Sequence, residues 1–178
     1  MTQKNARLIT TLIDEMLLVS LNENSEEAKK ENQVEINSLM RGVMKEAKGN
    51  LTDKTTIQYD TTLADDFTIL TNEYMLRIII NAIVDNAVKY TPEGTITLKA
   101  AKPSDTELAL TVEDTGCGVP AAEAEHIFER FVKLDTFKEG IGLGLPLCRM
   151  LIDKLGGTVR LDTTYTQGAR FVVTLPIL

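Results

Sequence analysis

The chain is poor in the residues that often reveal a protein's class. It has no tryptophan, one histidine and two cysteines, Cys117 and Cys148, which lie far apart in the sequence. Two such cysteines suggest neither a disulfide framework nor a zinc motif, so we expect a reducing, cytoplasmic setting. No apolar run reaches the roughly 18 residues that a membrane-spanning helix requires. The polar start, residues 1–7, does not have the pattern of a signal peptide.

Positive charge is also scarce. Nineteen Lys and Arg residues stand against 26 Asp and Glu residues, which gives a net charge of −7. Nonspecific nucleic-acid binding needs basic patches, so we expect no nucleic-acid partner. The 178 residues, 43% of them hydrophobic, are enough for one ordinary domain with a short extension.

The first part of the chain is predicted to be a helix that stands apart from the main domain. Over residues 5–22, apolar side chains recur at steps of three and four, which suits a helix–helix seam: Ile9, Leu12, Ile13, Met16 and Val19. Residues 22–31 are dense in Glu, Lys, Asn and Ser and suggest a solvated linker. We therefore divide the chain into an N-terminal helix and linker, residues 1–31, and a domain, residues 32–178.

The domain is predicted to be α+β. The patterns indicate strands near 33–36, 55–59, 67–70, 95–101, 107–113, 158–162 and 170–175, and helices over 38–48, 71–90 and 144–155. Thr71 is the expected N-cap of the second helix and Gly156 the residue past the end of the third. Because strands and helices segregate, we expect a two-layer sandwich, with helices on one face of a mixed, mostly antiparallel sheet.

The central helix carries a narrow polar stripe on an otherwise apolar surface. Asn81, Asp85, Asn86 and Lys89 fall within a sector of about 140° on the helical wheel. Amide and carboxylate oxygens bind Mg²⁺, and a lysine attracts phosphate. The stripe therefore predicts the floor of a ligand pocket, although a helix with one solvated edge would show the same pattern.

Two glycine clusters follow this helix in sequence. The cluster at 114–118 closes a strand, and Asp114 in it could accept a hydrogen bond from an exocyclic amine or simply cap a turn. The cluster at 140–144 opens a helix, where free N–H groups favour anions. It is not a P-loop, because no Lys-Ser/Thr follows Gly144, and it does not sit in a βαβ unit. The second cluster is a candidate phosphate cradle, with a structural turn as the alternative.

Together these pieces resemble the ATP-binding domain of sensor histidine kinases. Residues 86–91, 114–120, 127–131 and 140–145 are similar, in order, to the N, G1, F and G2 boxes of that family. Gly168, Phe171 and the Leu175-Pro176 ending resemble its last strand. The resemblance covers about residues 34–178. The wider superfamily includes gyrase, MutL and the heat-shock chaperones.

The resemblance implies a site that binds ATP and Mg²⁺. Asn86 would coordinate the metal, Lys89 would contact phosphate and Tyr90 would lie against the nucleotide. Asp114 would accept from the adenine amine, with Gly116 and Gly118 giving room. A mobile lid after the F box would supply Arg130, Phe131 and Lys133. The second glycine cluster would wrap the phosphates with Gly140, Gly142, Leu143, Gly144 and Leu145.

Three positions depart from the family pattern. Ala82 stands four residues before Asn86, where hydrolysing relatives have Glu and histidine kinases commonly have Asn. Asn81 is one residue, or about 100° of rotation, away from that place. Ile141 replaces the usual Thr between two glycines. The sole histidine, His126, lacks the acceptor motif and is interpreted as a surface or hinge residue.

The resemblance also implies partners. The helix at 5–22 is similar to the second helix of a dimerisation hairpin, so the acceptor histidine would lie on a hairpin absent from this chain. Expected partners are that hairpin, a downstream response regulator and a second copy bound through the N-terminal helix. Membrane anchoring of the parent kinase stays open. The alternatives are a degenerate regulatory module, an anti-sigma-type serine kinase and, least favoured, a gyrase-like hydrolase.

Overall fold

A computed structural model of the protein describes residues 31–129 and 141–177, with the side chains of 141–143 excepted. The helix predicted over residues 5–22 and the lid residues Arg130, Phe131, Lys133 and Gly140 lie outside these ranges. Within them, no helix is long and apolar enough to cross a membrane.

The main layer is a five-stranded mixed sheet. Its strands are β2 (Thr55–Thr61), β4 (Gly94–Ser104), β5 (Glu107–Asp114), β6 (Thr158–Leu161) and β7 (Arg170–Pro176), in the order β2-β4-β5-β7-β6. Strands β2 and β4 run parallel, and the other neighbours are antiparallel. A separate antiparallel pair joins β1 (Asn32–Glu35) to β3 (Thr68–Thr71).

Three helices cover one face of this sheet: α1 (Ile36–Lys48), α2 (Glu73–Tyr90) and α3 (Ile141–Lys154). Burial alternates along β5, where Leu108, Leu110 and Val112 point into the core and the residues between them are more exposed. The period-two pattern thus gives the sheet one apolar and one polar face. The predicted α+β two-layer fold is confirmed.

The helix boundaries correct three details of the sequence-based prediction. The N-cap of α2 is Asn72 and not Thr71, because the Asn72 side chain accepts from the Met75 N–H at 2.8 Å. Helix α1 begins at Ile36 and not at residue 38, and α3 begins at Ile141 and not at residue 144, so Gly142 lies inside α3 and not before it. As expected, Gly156 follows the end of α3, with φ at +79°.

Candidate functional site

A cavity of about 160 Å³ opens where α2, α3 and the carboxyl end of β5 meet. Its lining is mainly apolar, with a small number of polar groups, which is typical of a small-molecule site. The lining residues are Asn86, Ala87, Tyr90, Asp114, Cys117, Gly118, Val119, Pro120, Glu123, Ile127, Leu145, Ala169 and Phe171.

Asp114 is the most firmly held polar group of the cavity. The residue is 3% exposed, and its Oδ1 accepts from the Gly116 N–H at 2.9 Å and the Ala169 N–H at 3.2 Å. Its backbone is held as well, because its N–H donates to the Ala169 carbonyl at 2.9 Å. The carboxylate is therefore fixed between the β5–turn segment and the start of β7.

The chemistry of Asp114 reflects this position. Burial raises the pKa of the Asp114 carboxyl above its ordinary value, while the hydrogen bonds from the N–H groups of Gly116 and Ala169 pull the pKa down. Both N–H donors use Oδ1, so Oδ2 is the oxygen that can accept from a bound molecule. A buried carboxylate of this kind suits a ligand that carries N–H donors.

Residue 116 must be glycine because the turn after β5 passes very close to the end of α2. A Cβ there would lie 2.0 Å from the Tyr90 carbonyl oxygen and 2.7 Å from the Thr91 hydroxyl. The Cys117 N–H donates to the same Tyr90 carbonyl at 3.3 Å. The turn after β5 thus closes over the end of α2 and brings Tyr90 next to Asp114.

Gly118 has a different reason to be glycine. Its φ is +73°, a conformation that side chains other than glycine rarely adopt. A Cβ there would also lie 3.1 Å from the Gly168 carbonyl oxygen. Gly118 lines the cavity, and it also lines a second one of about 440 Å³ on the other side of the turn, beside the β6–β7 loop. The segment 117–120 separates the two cavities.

Helix α2 presents the predicted polar stripe to the rim. Asn86 is half-buried and lines the cavity, whereas Asp85 and Lys89 are exposed. Tyr90 also lines the cavity, and burial raises the pKa of its phenol to about 12, so it stays protonated. The stripe is thus a pocket wall at Asn86 and a solvated edge at Asp85 and Lys89.

The donor set fits a magnesium ion that is shared with a ligand. Among the described residues, no group of three or more His, Cys, Asp or Glu side chains could hold a metal on its own. Mg²⁺ usually keeps waters and takes one or two protein oxygens together with phosphates. The Asn86 amide oxygen, at the cavity wall, could supply one such contact.

Helix α3 packs against α2 next to this wall. The Cys148 thiol donates to the Ile79 carbonyl at 3.5 Å and is fully buried, which raises its pKa to about 12. One turn earlier, a Cβ on Gly144 would lie 3.8 Å from the Ala82 Cβ. Ala82 therefore faces the glycine-rich start of α3, and Asn81 is not among the residues that line the cavity.

His126 lies in a short 3₁₀ turn, His126–Phe128, and is exposed. Its Nδ1 is 3.4 Å from the Glu129 carboxylate. The neighbouring Ile127 and Phe128 are buried, and the Phe128 ring packs edge-on against Phe171 at 6.1 Å between centroids. The surface position predicted for His126 agrees with this structure, and the turn is anchored by its apolar neighbours.

The structure brings together five of the predicted site residues as cavity lining: Asn86, Tyr90, Asp114, Gly118 and Leu145. Gly116, Lys89 and Gly144 lie beside the cavity without lining it. Gly142 and Leu143 are in the first turn of α3, and the Leu143 side chain is outside the described set. Ala169 could not be identified from the sequence, because its N–H comes within hydrogen-bonding distance of the Asp114 carboxylate only when β5 pairs with β7.

Comparison with known proteins gives this site a family. Residues 71–178 match the model of the histidine kinase-, DNA gyrase B-, and HSP90-like ATPases. All of the residues that line the cavity lie within this range, which spans more than half of the length of the chain. The chain belongs to this ATPase family, and the resemblance drawn from its four motifs is confirmed.

The similar proteins are sensory kinases. The chain is 32% identical over 180 residues to the adaptive-response sensory kinase SasA of Gloeothece citriformis, covering 99% of this chain and 46% of that protein. The SasA protein of Synechocystis sp. is also 32% identical over 180 residues. The chain thus spans about half the length of these curated relatives.

Solved structures agree at the level of the fold. The full-length ShkA structure, in complex with AMPPNP, is 29% identical, with a TM-score of 0.73 over 99% of this chain and 40% of that one. The catalytic domain of histidine kinase ThkA is 21% identical, with a TM-score of 0.71 over 83% of this chain and 97% of that one. The chain is an ATP-binding domain of the sensor histidine kinase type, and the alternative functions are not favoured.

Proposed function

We propose that the chain binds Mg²⁺·ATP and transfers the γ-phosphate to a histidine on a dimerisation hairpin that the chain itself does not contain. The observation that carries this proposal is the buried Asp114 carboxylate at the wall of a mainly apolar cavity, opposite a helix that presents Asn86. An apolar cavity with one fixed acceptor suits a purine base, and the polar rim suits its phosphates.

At the base end, Asp114 would accept from the exocyclic amine of adenine. The N–H groups of Gly116 and Ala169 occupy Oδ1 and orient the carboxylate without help from the ligand. Recognition by a carboxylate that is already oriented loses little entropy on binding. Tyr90, protonated and half-buried, would lie against the nucleotide.

At the phosphate end, Asn86 would hold the magnesium ion and Lys89 would contact phosphate. The start of α3 would offer the free N–H groups of its first residues, Gly142 and Leu143, to the phosphates, and Gly144 and Leu145 would follow them along the phosphate end of the cavity. Gly140 and the lid residues Arg130, Phe131 and Lys133 would complete this end. A magnesium ion there would offset negative charge on the transferring phosphoryl group.

The rest of the parent kinase follows from the same proposal. Residues 1–31 would belong to the dimerisation hairpin and its linker, and residues 32–178 to the catalytic domain. A homodimer through the N-terminal helix would bring the acceptor histidine to the cavity, and a response regulator would then receive the phosphoryl group. His126 is not the acceptor in this scheme, because it lies in a turn whose neighbours are buried in the core.

Phosphotransfer in trans tests the proposal. The full chain is mixed with a separately prepared acceptor hairpin of a SasA-type kinase and γ-labelled ATP, and label on each protein is followed over time. We expect label on the hairpin and negligible label on the chain itself. The His126→Gln variant should transfer as the unmodified chain does, and Asp114→Asn should not. Transfer that vanishes in His126→Gln would contradict the assignment of the acceptor.

A further inference from the structure

Tyr165 touches the strand end that carries Asp114. It belongs to the loop between β6 and β7, and its hydroxyl donates to the Asp114 carbonyl oxygen at 2.9 Å, across 51 positions of sequence. The β5–β7 pairing reaches only Glu113 and Arg170, so this carbonyl lies just past the end of that pairing. Asp114 still pairs with Ile96 of β4 and donates its N–H to the Ala169 carbonyl, and the Tyr165 hydroxyl adds a partner for its carbonyl oxygen.

The Tyr165 ring is itself held in place. The Arg170 guanidinium carbon lies 4.3 Å from the ring centroid. The same guanidinium donates to Glu113 at 2.6 Å and to Asp162 at 3.4 Å. A cation that is fixed by two carboxylates and stacked on an aromatic face restricts that ring to one position.

The loop around Tyr165 is also shaped to meet Asp114. The Asp162 carboxylate accepts from the Thr164 N–H at 3.0 Å and the Thr164 hydroxyl at 2.6 Å, which closes a turn before Tyr165. On the other side, a Cβ on Gly168 would lie 2.0 Å from the Asp114 carbonyl oxygen. The loop thus contacts the backbone of Asp114 directly through Gly168 and Tyr165.

We propose that Tyr165 is a positioning residue that sets the selectivity of the site for adenine. By holding the Asp114 carbonyl, the Tyr165 hydroxyl fixes the strand end from which the Asp114 carboxylate projects into the cavity. It does not line that cavity and acts on the ligand only through Asp114. The inference rests on the proposed function, since it needs adenine to bind at Asp114.

The test compares two nucleotides on three proteins by calorimetric titration in Mg²⁺. ATP carries the exocyclic amine that Asp114 would accept from, and purine riboside triphosphate lacks it. The proteins are the unmodified chain, Tyr165→Phe and a matched control, Tyr59→Phe. Tyr59 is also half-buried, donates from its hydroxyl to Asn37 at 2.6 Å and lies 5.7 Å from an arginine carbon, Arg41 Cζ, but it is outside the cavity.

For Tyr165→Phe we expect ATP affinity to fall about fivefold, the effect of one hydrogen bond, while the affinity for purine riboside triphosphate stays within about twofold. The ATP preference should therefore shrink in Tyr165→Phe and persist in Tyr59→Phe. An unchanged preference in Tyr165→Phe would overturn the positioning role while leaving the proposed function intact. Equal weakening for both nucleotides would also overturn it, since that indicates a structural role alone. No ATP binding by the unmodified chain would overturn both proposals.

Discussion

The two ends of the cavity are built in different ways. At the proposed base end, Asp114 is 3% exposed and accepts hydrogen bonds from the nearby Gly116 N–H and, from segments distant in sequence, from the Ala169 N–H and the Tyr165 hydroxyl. At the proposed phosphate end, Asn86 is half-buried and Lys89 is exposed, and both lie on the surface of one helix. The base end is formed before a ligand arrives, whereas the phosphate end offers groups that a metal and phosphates would have to organise.

The departures from the family pattern fall at the proposed phosphate end. Ala82 and Ile141 replace polar residues at the phosphate end, while Asp114, Gly116 and Gly118 at the base end match the family motif. At a solvated end with several contacts, the loss of one contact lowers nucleotide affinity by a limited amount. Loss of a contact at the packed base end changes how two segments of the chain meet.

The largest expected effect comes from Gly116→Ala. The new Cβ would lie 2.0 Å from the Tyr90 carbonyl oxygen, so the turn after β5 would have to move away from α2. We expect a destabilisation of about 3 kcal/mol and no measurable nucleotide binding. Thermal unfolding followed by circular dichroism measures the first effect and titration with ATP the second.

The matched control is Gly49→Ala, at the end of α1. A Cβ there meets only the Glu46 carbonyl oxygen at an ordinary 3.5 Å, and its φ of −67° suits any residue. Its stability should stay within about 1 kcal/mol of the unmodified chain. If the two variants were equally stable, the close contact between the turn and α2 would not exist in solution.

Next in size is Asp114→Asn. The amide keeps an oxygen to accept from the Gly116 and Ala169 N–H groups, but it places an NH₂ donor where the second carboxylate oxygen was. We expect ATP affinity to fall about 100-fold, because the NH₂ group of the new asparagine and the exocyclic amine of adenine are both donors and would face each other. The stability of the protein should change little. The control Asp105→Asn, in the exposed β4–β5 turn, should bind ATP normally. ATP affinity unchanged in Asp114→Asn would remove adenine recognition from this residue.

Ala82→Asn should strengthen the phosphate end. Ala82 faces the start of α3, since its Cβ is 3.8 Å from the place of a Gly144 Cβ. A second amide oxygen there would lie one helical turn before Asn86 and could join it at the metal. We expect a gain of about fivefold in Mg²⁺-dependent ATP affinity and no gain without Mg²⁺.

Asn81→Ala is the companion variant, because Asn81 lies one residue, or about 100° of rotation, away from Ala82 on the helix. Its ATP affinity should equal that of the unmodified chain. Should Asn81→Ala weaken Mg²⁺-dependent binding as strongly as Ala82→Asn strengthens it, the metal would be held on the other side of α2.

The smallest effect concerns the ion pairs behind the base end. Burial alone would raise the pKa of Glu113, but Lys99 at 2.8 Å and Arg170 at 2.6 Å donate hydrogen bonds and hold the pKa below its usual 4.5. A lowered folded-state pKa stabilises the protein above pH 4.5, and this stability is lost as the pH falls through the lowered value. Glu113→Gln should cost about 1 kcal/mol at pH 7.

Thermal unfolding of both proteins between pH 7 and pH 3 measures this linkage. The difference in melting temperature should be full at pH 7 and should shrink below pH 4.5 as Glu113 takes up a proton in the unmodified chain. A difference that stays constant over the whole range would show that the Glu113 charge does not stabilise the fold.

Much of the fold could be predicted from local pattern. Alternation along β5 and the apolar surface of α2 follow directly from residue type, and so do the ends at Tyr90 and Gly156. The N-cap could not be settled in this way, since Thr71 and Asn72 both cap helices well. Pairing of Thr71 with Asn32 in the β1–β3 ladder leaves Asn72 as the cap.

The candidate site likewise contains residues that local sequence reveals and residues that only the tertiary structure reveals. Asn86 and Asp114 sit in motifs whose residue types suggest metal and amine ligands, so they could be singled out from the sequence. Tyr165 and Ala169 could not, because their roles arise only when β7 pairs with β5 and brings the β6–β7 loop to Asp114. Local sequence predicts which groups do chemistry, and tertiary pairing decides which groups hold them.

The most direct test of the account is calorimetric titration of the chain and of Asn86→Ala with a non-hydrolysable ATP analogue, with and without Mg²⁺. We predict dissociation constants on the order of micromolar to sub-millimolar for the unmodified chain in Mg²⁺, and weaker binding without it. Asn86→Ala should show the weaker value under both conditions. Absence of binding by the unmodified chain, or binding that neither Mg²⁺ nor Asn86→Ala alters, would contradict the assignment of the nucleotide and its metal to this cavity.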